Sequence, residues 1–179
     1  MVGLFYDSSL TDLDLSNFDT SNVTDMSAMF CECSGLESVN LSSFNTSKVT
    51  SMHEMFYSCA SLTNLDLSSF DTSNVTDMSM MFYDCRYLEH VDLSSFDTHN
   101  VTNFELFFCQ CINLKEANVK HFDISSARKM GFMFDDCQSL TELDLSTFDF
   151  SKITPAPDPQ DIFSSCINLE RIIMPENTD

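Results

Sequence analysis

Leu62-Thr63-Asn64-Leu65-Asp66-Leu67-Ser68-Ser69-Phe70-Asp71-Thr72-Ser73-Asn74-Val75-Thr76-Asp77-Met78-Ser79-Met80-Met81-Phe82-Tyr83-Asp84-Cys85 is the stretch whose reading decides the fold. Its first six residues place Leu65 and Leu67 at alternating positions, the pattern of a short strand with one buried face. From Val75 to Phe82 the apolar spacing changes to three and four, which predicts a short helix with one buried stripe. Thr76 would cap that helix, and Asp77 would sit at the positive end of its dipole. Asp71-Thr72-Ser73-Asn74, between the two, has the composition of a turn.

The same unit recurs along the chain. Leu10, Leu36, Leu62, Leu88, Leu114 and Leu140 stand 26 residues apart. Phe18, Phe44, Phe70, Phe96, Phe122 and Phe148 keep the same period, as do Val23, Val49, Val75, Val101 and Ala127. Phe30, Phe56, Phe82, Phe108 and Phe134 form a second aromatic column, which resumes three residues late at Phe163. Cys33, Cys59, Cys85, Cys111, Cys137 and Cys166 close the unit. A unit this short cannot bury its own apolar side, so copies must stack and share one continuous core. The predicted fold is an α/β repeat solenoid of about six coils, each a short parallel strand, a turn and a short helix. Strands of successive coils would lie about 4.8 Å apart, giving a body roughly 30 Å long. Crossovers between parallel strands predict a right-handed stack.

The repeat assignment gives a partial coil over 1–9 and six repeats over 10–35, 36–61, 62–87, 88–113, 114–139 and 140–168. A partial terminal repeat follows over 169–179. Repeat five is irregular, with Asp123-Ile124-Ser125-Ser126-Ala127-Arg128-Lys129 at its turn and Lys115, Lys120, Arg128 and Lys129 around it. Repeat six carries an insertion with Pro155, Pro157 and Pro159, which excludes a helix there and predicts a bulging loop. Neither end reads as a polar cap. Exposed edges of that kind predict a piece of a longer array, or end-to-end pairing.

The 179 residues are 43% hydrophobic and carry a formal net charge of −20. The apolar fraction suffices for a core, which excludes a wholly disordered chain. A charge of −20 counts against nucleic-acid binding, because a phosphate backbone would be repelled. No apolar run approaches the roughly 18–20 residues that cross a bilayer. The first six residues have none of the features of a secretory signal, so an exported protein would carry its signal elsewhere.

The unit L-x-x-L-D-L-S-x-F-D-T-S-N-V-T-x-M-x-x-M-F-x-x-C resembles the BspA-type leucine-rich repeat of bacterial surface proteins. More closely, it resembles the mycoplasma-type surface-lipoprotein repeat, over Leu10 to Met174. The Asn or Cys that usually follows L-x-x-L-x-L is replaced here by the Phe column, and Cys falls three residues before the first Leu. The resemblance implies a secreted or cell-surface protein that binds other proteins, such as host matrix or partner cells. It assigns no binding residue, since the shared positions are structural.

Chemistry-bearing residues are plentiful but unfocused. Eight cysteines invite a disulfide or metal reading. Stacked equivalents point the same way, so free thiols packed as small hydrophobes are expected, with Cys31/Cys33 and Cys109/Cys111 the candidate exceptions. His53, His90, His99 and His121 occupy four different repeat positions and read as solvated surface residues. Asp14, Asp66, Asp92 and Asp144 recur in the strand, and Asp19, Asp71, Asp97, Asp123 and Asp149 recur after Phe. Calcium would suit such oxygen ladders, but no EF-hand spacing supports it, and no cofactor is expected. The strand aspartates read as a solvated face and those after Phe as turn starters. Asn22-Val23-Thr24, Asn74-Val75-Thr76 and Asn100-Val101-Thr102 match the glycosylation triplet, yet their Val lies in a core column and turn duty fits better. No catalytic Ser-His-Asp or Cys-His set and no phosphate loop can be assembled, which argues against an enzyme.

The expected function is therefore non-enzymatic protein–protein interaction through the exposed strand face, with a structural spacer as the alternative. The outward positions that vary between repeats are the contact candidates: Thr11, Glu37, Thr63, Glu89, Lys115 and Thr141, with Asp14, Asp66, Asp92 and Asp144. An acidic surface favours a basic partner and salt-sensitive association.

Overall fold

The computed structural model describes residues 1–153 and 162–176. Six three-residue strands lie at one position of the repeat: β1 Asp12–Asp14, β2 Ser38–Asn40, β3 Asn64–Asp66, β4 His90–Asp92, β5 Glu142–Asp144 and β6 Arg171–Ile173. They pair in parallel and in repeat register: Leu13 beside Val39, Leu65 beside Val91, Leu143 beside Ile172. The pairs are β1–β2, β3–β4 and β5–β6, so the strand side is three short ribbons rather than one sheet. A second parallel ladder of single bridges joins Asp25, Ser51, Asp77, Asn103 and Lys129. The result is a leucine-rich-repeat-like stack of coils. Residues 114–119 of repeat five form no strand. The proline-bearing insertion (154–161) and the tail (177–179) lie outside the described residues.

The core is the set of columns. Phe44, Phe70, Phe96, Phe122 and Phe148 are buried, as are Phe30, Phe56, Phe82, Phe108 and Phe134. In the second series the rings stack from coil to coil, with Phe30–Phe56 centroids 5.3 Å apart and Phe56–Phe82 5.8 Å apart. Each such Phe contributes about 1.5–3 kcal/mol over an exposed one by burial, and offset stacking adds about 0.5–1.5 kcal/mol.

The segment expected to be helical is not a helix in repeats one to five. Two left-handed residues per repeat forbid it: Ala28, Glu54, Met80, Leu106 and Phe132 in one column, Glu32, Ser58, Asp84, Gln110 and Asp136 in the other, with φ between 53° and 63°. The backbone makes successive turns instead. Met29 N–H donates to Met26 O, Cys31 N–H to Ala28 O and Cys33 N–H to Phe30 O. The alternate donors point along the stack: Ala28 N–H to His53 O, Phe30 N–H to Met55 O, Glu32 N–H to Tyr57 O. A turn ribbon buries residues at spacings of three and four just as a helix does, so the apolar pattern is shared. Thr76 accordingly caps nothing; its hydroxyl donates to Thr50 O at 3.1 Å.

Side chains stitch the coils on the other sides. Thr46 Oγ1 donates to Asp71 O at 2.8 Å and accepts from Asp71 N–H at 2.8 Å. Thr20, Thr72 and Thr98 make the same two-way clasp to Asn45, Asp97 and Asp123. These threonines are buried, and the clasp satisfies both their hydroxyls and a turn amide. Each column cysteine donates from Sγ to the carbonyl of the column phenylalanine one coil earlier, for example Cys59 to Phe30 O at 3.0 Å.

Candidate interaction face

The strand side carries the candidate residues because alternation turns Leu13, Val39, Leu65 and their equivalents inward and their neighbours outward. Thr11, Asp14, Glu37, Thr63, Asp66, Asp92, Lys115 and Thr141 are exposed, while Glu89 and Asp144 are half-buried. Inter-coil bonds align the first row: Glu37 N–H donates to Thr11 O, Glu89 N–H to Thr63 O and Lys115 N–H to Glu89 O. The row is interrupted between coils two and three and between coils five and six, where no equivalent bond forms.

Those interruptions are clefts. The first, about 620 Å³, is lined by Ser38, Val39, Asn64, Leu65, Asp66, Ser68, His90 and Asp92. A smaller hollow of about 280 Å³ adjoins it at Asn40, Ser42 and Asp66. The other, about 340 Å³, lies where repeat five lacks its strand, between Lys115, Glu116, Asn118, Lys120, Thr141, Glu142 and Asp144. The candidate residues are thus divided: Asp66 and Asp92 share the first cleft, and Lys115, Thr141 and Asp144 share the other. Thr11, Glu37 and Thr63 line neither.

Electrostatically the face is organised by local pairing. Lys115 Nζ pairs with Glu89, Lys120 Nζ with Asp144 at 2.8 Å, and Arg171 with Glu142 at 3.2 Å. The strand aspartates are more than a solvated face. Asp14, Asp66 and Asp92 each accept from the backbone N–H two residues on at 2.9 Å, and Asp144 does so at 3.0 Å. They start turns, like the aspartates after Phe, of which Asp19 accepts from Ser21 N–H and Asp71 from Ser73 N–H. Hydrogen bonds from Ser16, Ser68 and Ser94 hold Asp14, Asp66 and Asp92 below the usual carboxylate range. Lys120 brings Asp144 down to about 2. Among the described residues, no three His, Cys, Asp or Glu side chains are grouped to hold a metal.

The remaining sequence candidates are placed as follows. All eight cysteines are free, Cys31, Cys33, Cys109 and Cys111 included. Burial pushes the Cys31 and Cys109 thiols up to about 12, and the Cys59, Cys111 and Cys137 thiols well above their ordinary value. Three histidines bond to protein groups rather than to solvent alone. His53 Nδ1 lies 2.8 Å from Ser79 Oγ, His99 Nδ1 2.6 Å from Asp97, and His121 Nε2 2.9 Å from Leu93 O. Asn74 and Asn100 donate to Ser47 O and Ser73 O in the preceding coil at 2.8 Å, so these amides join coils rather than close a turn. Sequence reasoning missed the threonine clasp, although the Thr that follows Asp or Asn in repeats one to four was its signal.

A family profile described as "Mycoplasma protein of unknown function, DUF285" matches residues 1–91 and 88–174. The chain belongs to this family. It is similar to a leucine-rich repeat protein from Eubacterium ventriosum, at 17% identity and a TM-score of 0.47, covering 96% of this chain and 50% of that one. It is also similar to a leucine-rich cell surface protein from Faecalibacterium prausnitzii, at 15% identity and a TM-score of 0.42, covering 94% of this chain and 61% of that one. This chain therefore spans about half the length of the first of these proteins. No curated protein matches it.

Proposed function

We propose that this DUF285 chain is a non-enzymatic protein-interaction module of a bacterial-type cell-surface protein, binding a host matrix protein or another cell's surface protein through its strand face. The observation that carries the reading is a contrast between positions. Framework columns keep Leu, Phe and Cys from coil to coil, whereas the outward row runs Thr11, Glu37, Thr63, Glu89, Lys115, Thr141. The neighbouring outward strand position also varies, as Asp12, Ser38, Asn64, His90, Glu116 and Glu142; an exposed strand face that changes from coil to coil, next to two clefts, suits recognition. The resemblance of the repeat to those of bacterial surface proteins supports the location.

The test is binding of the chain to a panel of purified matrix proteins, followed by Glu37→Lys with Glu89→Lys. For a partner held by this face, affinity falls at least tenfold and its salt dependence changes. Unchanged affinity for a confirmed partner removes the strand face from the reading. A chain that binds nothing in the panel favours the spacer, for which the clasped, repetitive rod is itself the supporting observation.

A further inference from the structure

The turn ribbon carries an apolar stripe on its outer side. In coils two to four the residue after the column phenylalanine closes a turn: Tyr57 N–H donates to Glu54 O at 3.1 Å, Tyr83 N–H to Met80 O at 3.2 Å and Cys109 N–H to Leu106 O at 3.2 Å. The central residues of these turns, Met55 and Phe56, Met81 and Phe82, Phe107 and Phe108, are buried in the core. The first and last residues of each turn are thereby brought side by side at the surface. Stacking of the coils sets the Tyr57 and Tyr83 rings 4.8 Å apart. Beside them stand Met80 and Leu106, and all four are half-buried. Phe132 continues the row in coil five and is 40% exposed.

The fold does not ask for Met or Leu there. Met80 and Leu106 have φ values of 56° and 59°, in the left-handed region that bulky side chains disfavour. The equivalent position holds Ala28 and Glu54 at 56° and 57° and closes the same turn. The other left-handed column, Glu32, Ser58, Asp84, Gln110 and Asp136, is polar throughout. Large apolar side chains that are both strained and half in water add little to folding. Aligned in adjacent coils, they form a contiguous patch of the kind that marks an interaction site.

The rim of the stripe is acidic. Burial first, and then neighbours that include Glu54, Asp84 and Glu32, raise the Tyr57 phenol above its ordinary value. Glu105, half-buried, adjoins Leu106 in the chain. Arg86 is tied to Asp84 at 2.6 Å and His53 lies against Glu54 at 3.4 Å. The exposed Arg128 and Lys129 stand in coil five. Coils two to four of the ribbon thus surround an apolar centre with negative charge. We propose that this stripe docks a segment of a partner protein in which apolar side chains alternate with lysine or arginine. The segment lies along the stack, its apolar residues on Tyr83, Met80 and Leu106 and its cations facing Glu54, Asp84 and Glu105. The stripe is separate from the strand face, so it stands whether or not the strand face binds a partner.

The experiment is calorimetric titration of the 179-residue chain with a synthetic peptide of alternating leucine and lysine, and with one of alternating serine and lysine. The leucine peptide should bind, more tightly at low salt, and the serine peptide at least tenfold more weakly. Met80→Asn with Leu106→Asn removes the apolar centre, and asparagine tolerates the left-handed backbone. That variant should keep or raise the denaturant midpoint of the parent while its affinity for the leucine peptide falls at least tenfold. Glu54→Gln with Glu105→Gln should weaken binding and flatten its salt dependence. Asp66→Asn with Asp92→Asn, on the strand face, should leave it unchanged. Equal affinity for the two peptides overturns the proposal, as does unchanged binding by the asparagine variant. A lower midpoint for that variant also overturns it, because Met80 and Leu106 would then serve the fold. A parent chain that self-associates until those two residues are replaced seats a second copy on the stripe, and overturns the proposed partner.

Discussion

At the scale of single residues, the stack is held by side chains that each do one job repeatedly. Thr72 shows this most directly, because its buried hydroxyl both donates to Asp97 O and accepts from Asp97 N–H. Thr72→Val keeps the shape and deletes both bonds, leaving a turn amide unsatisfied. The expected loss is about 1–3 kcal/mol, seen as a lower denaturant midpoint, with Thr72→Ser losing much less. Asp144 supplies a pH test. Its folded pKa of about 2 lies below the ordinary carboxylate value, so its contribution is complete above about pH 4. It is lost as pH falls through the folded value. The Tm difference between the parent chain and Asp144→Ala should therefore be constant from pH 7 to 5 and close towards pH 2. A difference that widens on acidification contradicts the assignment. The thiols behave oppositely to reactive cysteines. Burial keeps Cys59, Cys85, Cys111 and Cys137 protonated, so at pH 8 a thiol reagent should label them only after denaturation. Cys166, only partly buried, should be labelled earliest.

At the scale of the element, the sequence disclosed the strand and concealed the ribbon. Leu65 and Leu67 alternate, and alternation has one structural meaning here. Val75, Met78, Met81 and Phe82 are spaced by three and four, and that spacing is met by a helix or by consecutive turns. What separates them is backbone sign, and Met80 and Asp84 are left-handed without being glycine. Non-glycine residues give no sequence mark of a positive φ, so the usual signal was missing. The strand aspartates were half legible for a related reason. A carboxylate that starts a turn and one that faces water look alike until Ser68 N–H is seen to donate to Asp66. The face itself was located by alternation, but its clefts were not, because they arise where neighbouring coils part. Gln110, with φ 63°, tests the ribbon. Gln110→Gly should raise stability by up to about 1 kcal/mol by relieving left-handed strain. In a helix the same change would cost about 1 kcal/mol, so the sign of the change in denaturant midpoint decides between the two.

At the scale of the whole molecule, the long-range contacts join each coil to its neighbour. Cys85 reaches 29 residues back to Phe56 O, Thr72 reaches 25 forward to Asp97, and Lys115 reaches 26 back to Glu89. Nearest-neighbour coupling of this kind makes stability a sum over coils and interfaces. Excising 62–87 joins Ser61 to Leu88 without changing phase. Phe56 then meets Phe108, Thr46 meets the backbone of Asp97, and β2 meets β4. The shortened chain should fold cooperatively with a lower Tm, and its denaturant slope should fall by about one seventh as the exposed area falls. Excising only 62–74 should prevent folding, because it places the Val75 ribbon segment where the strand must pair. The same whole-coil deletion also removes the parting between β2 and β3 and, with it, the 620 Å³ cleft of Asp66 and Asp92. A partner that enters that cleft loses its site in a chain that is still folded. A partner held elsewhere on the strand face binds the shortened chain as before, so binding of the two chains measured side by side locates the contact within the stack.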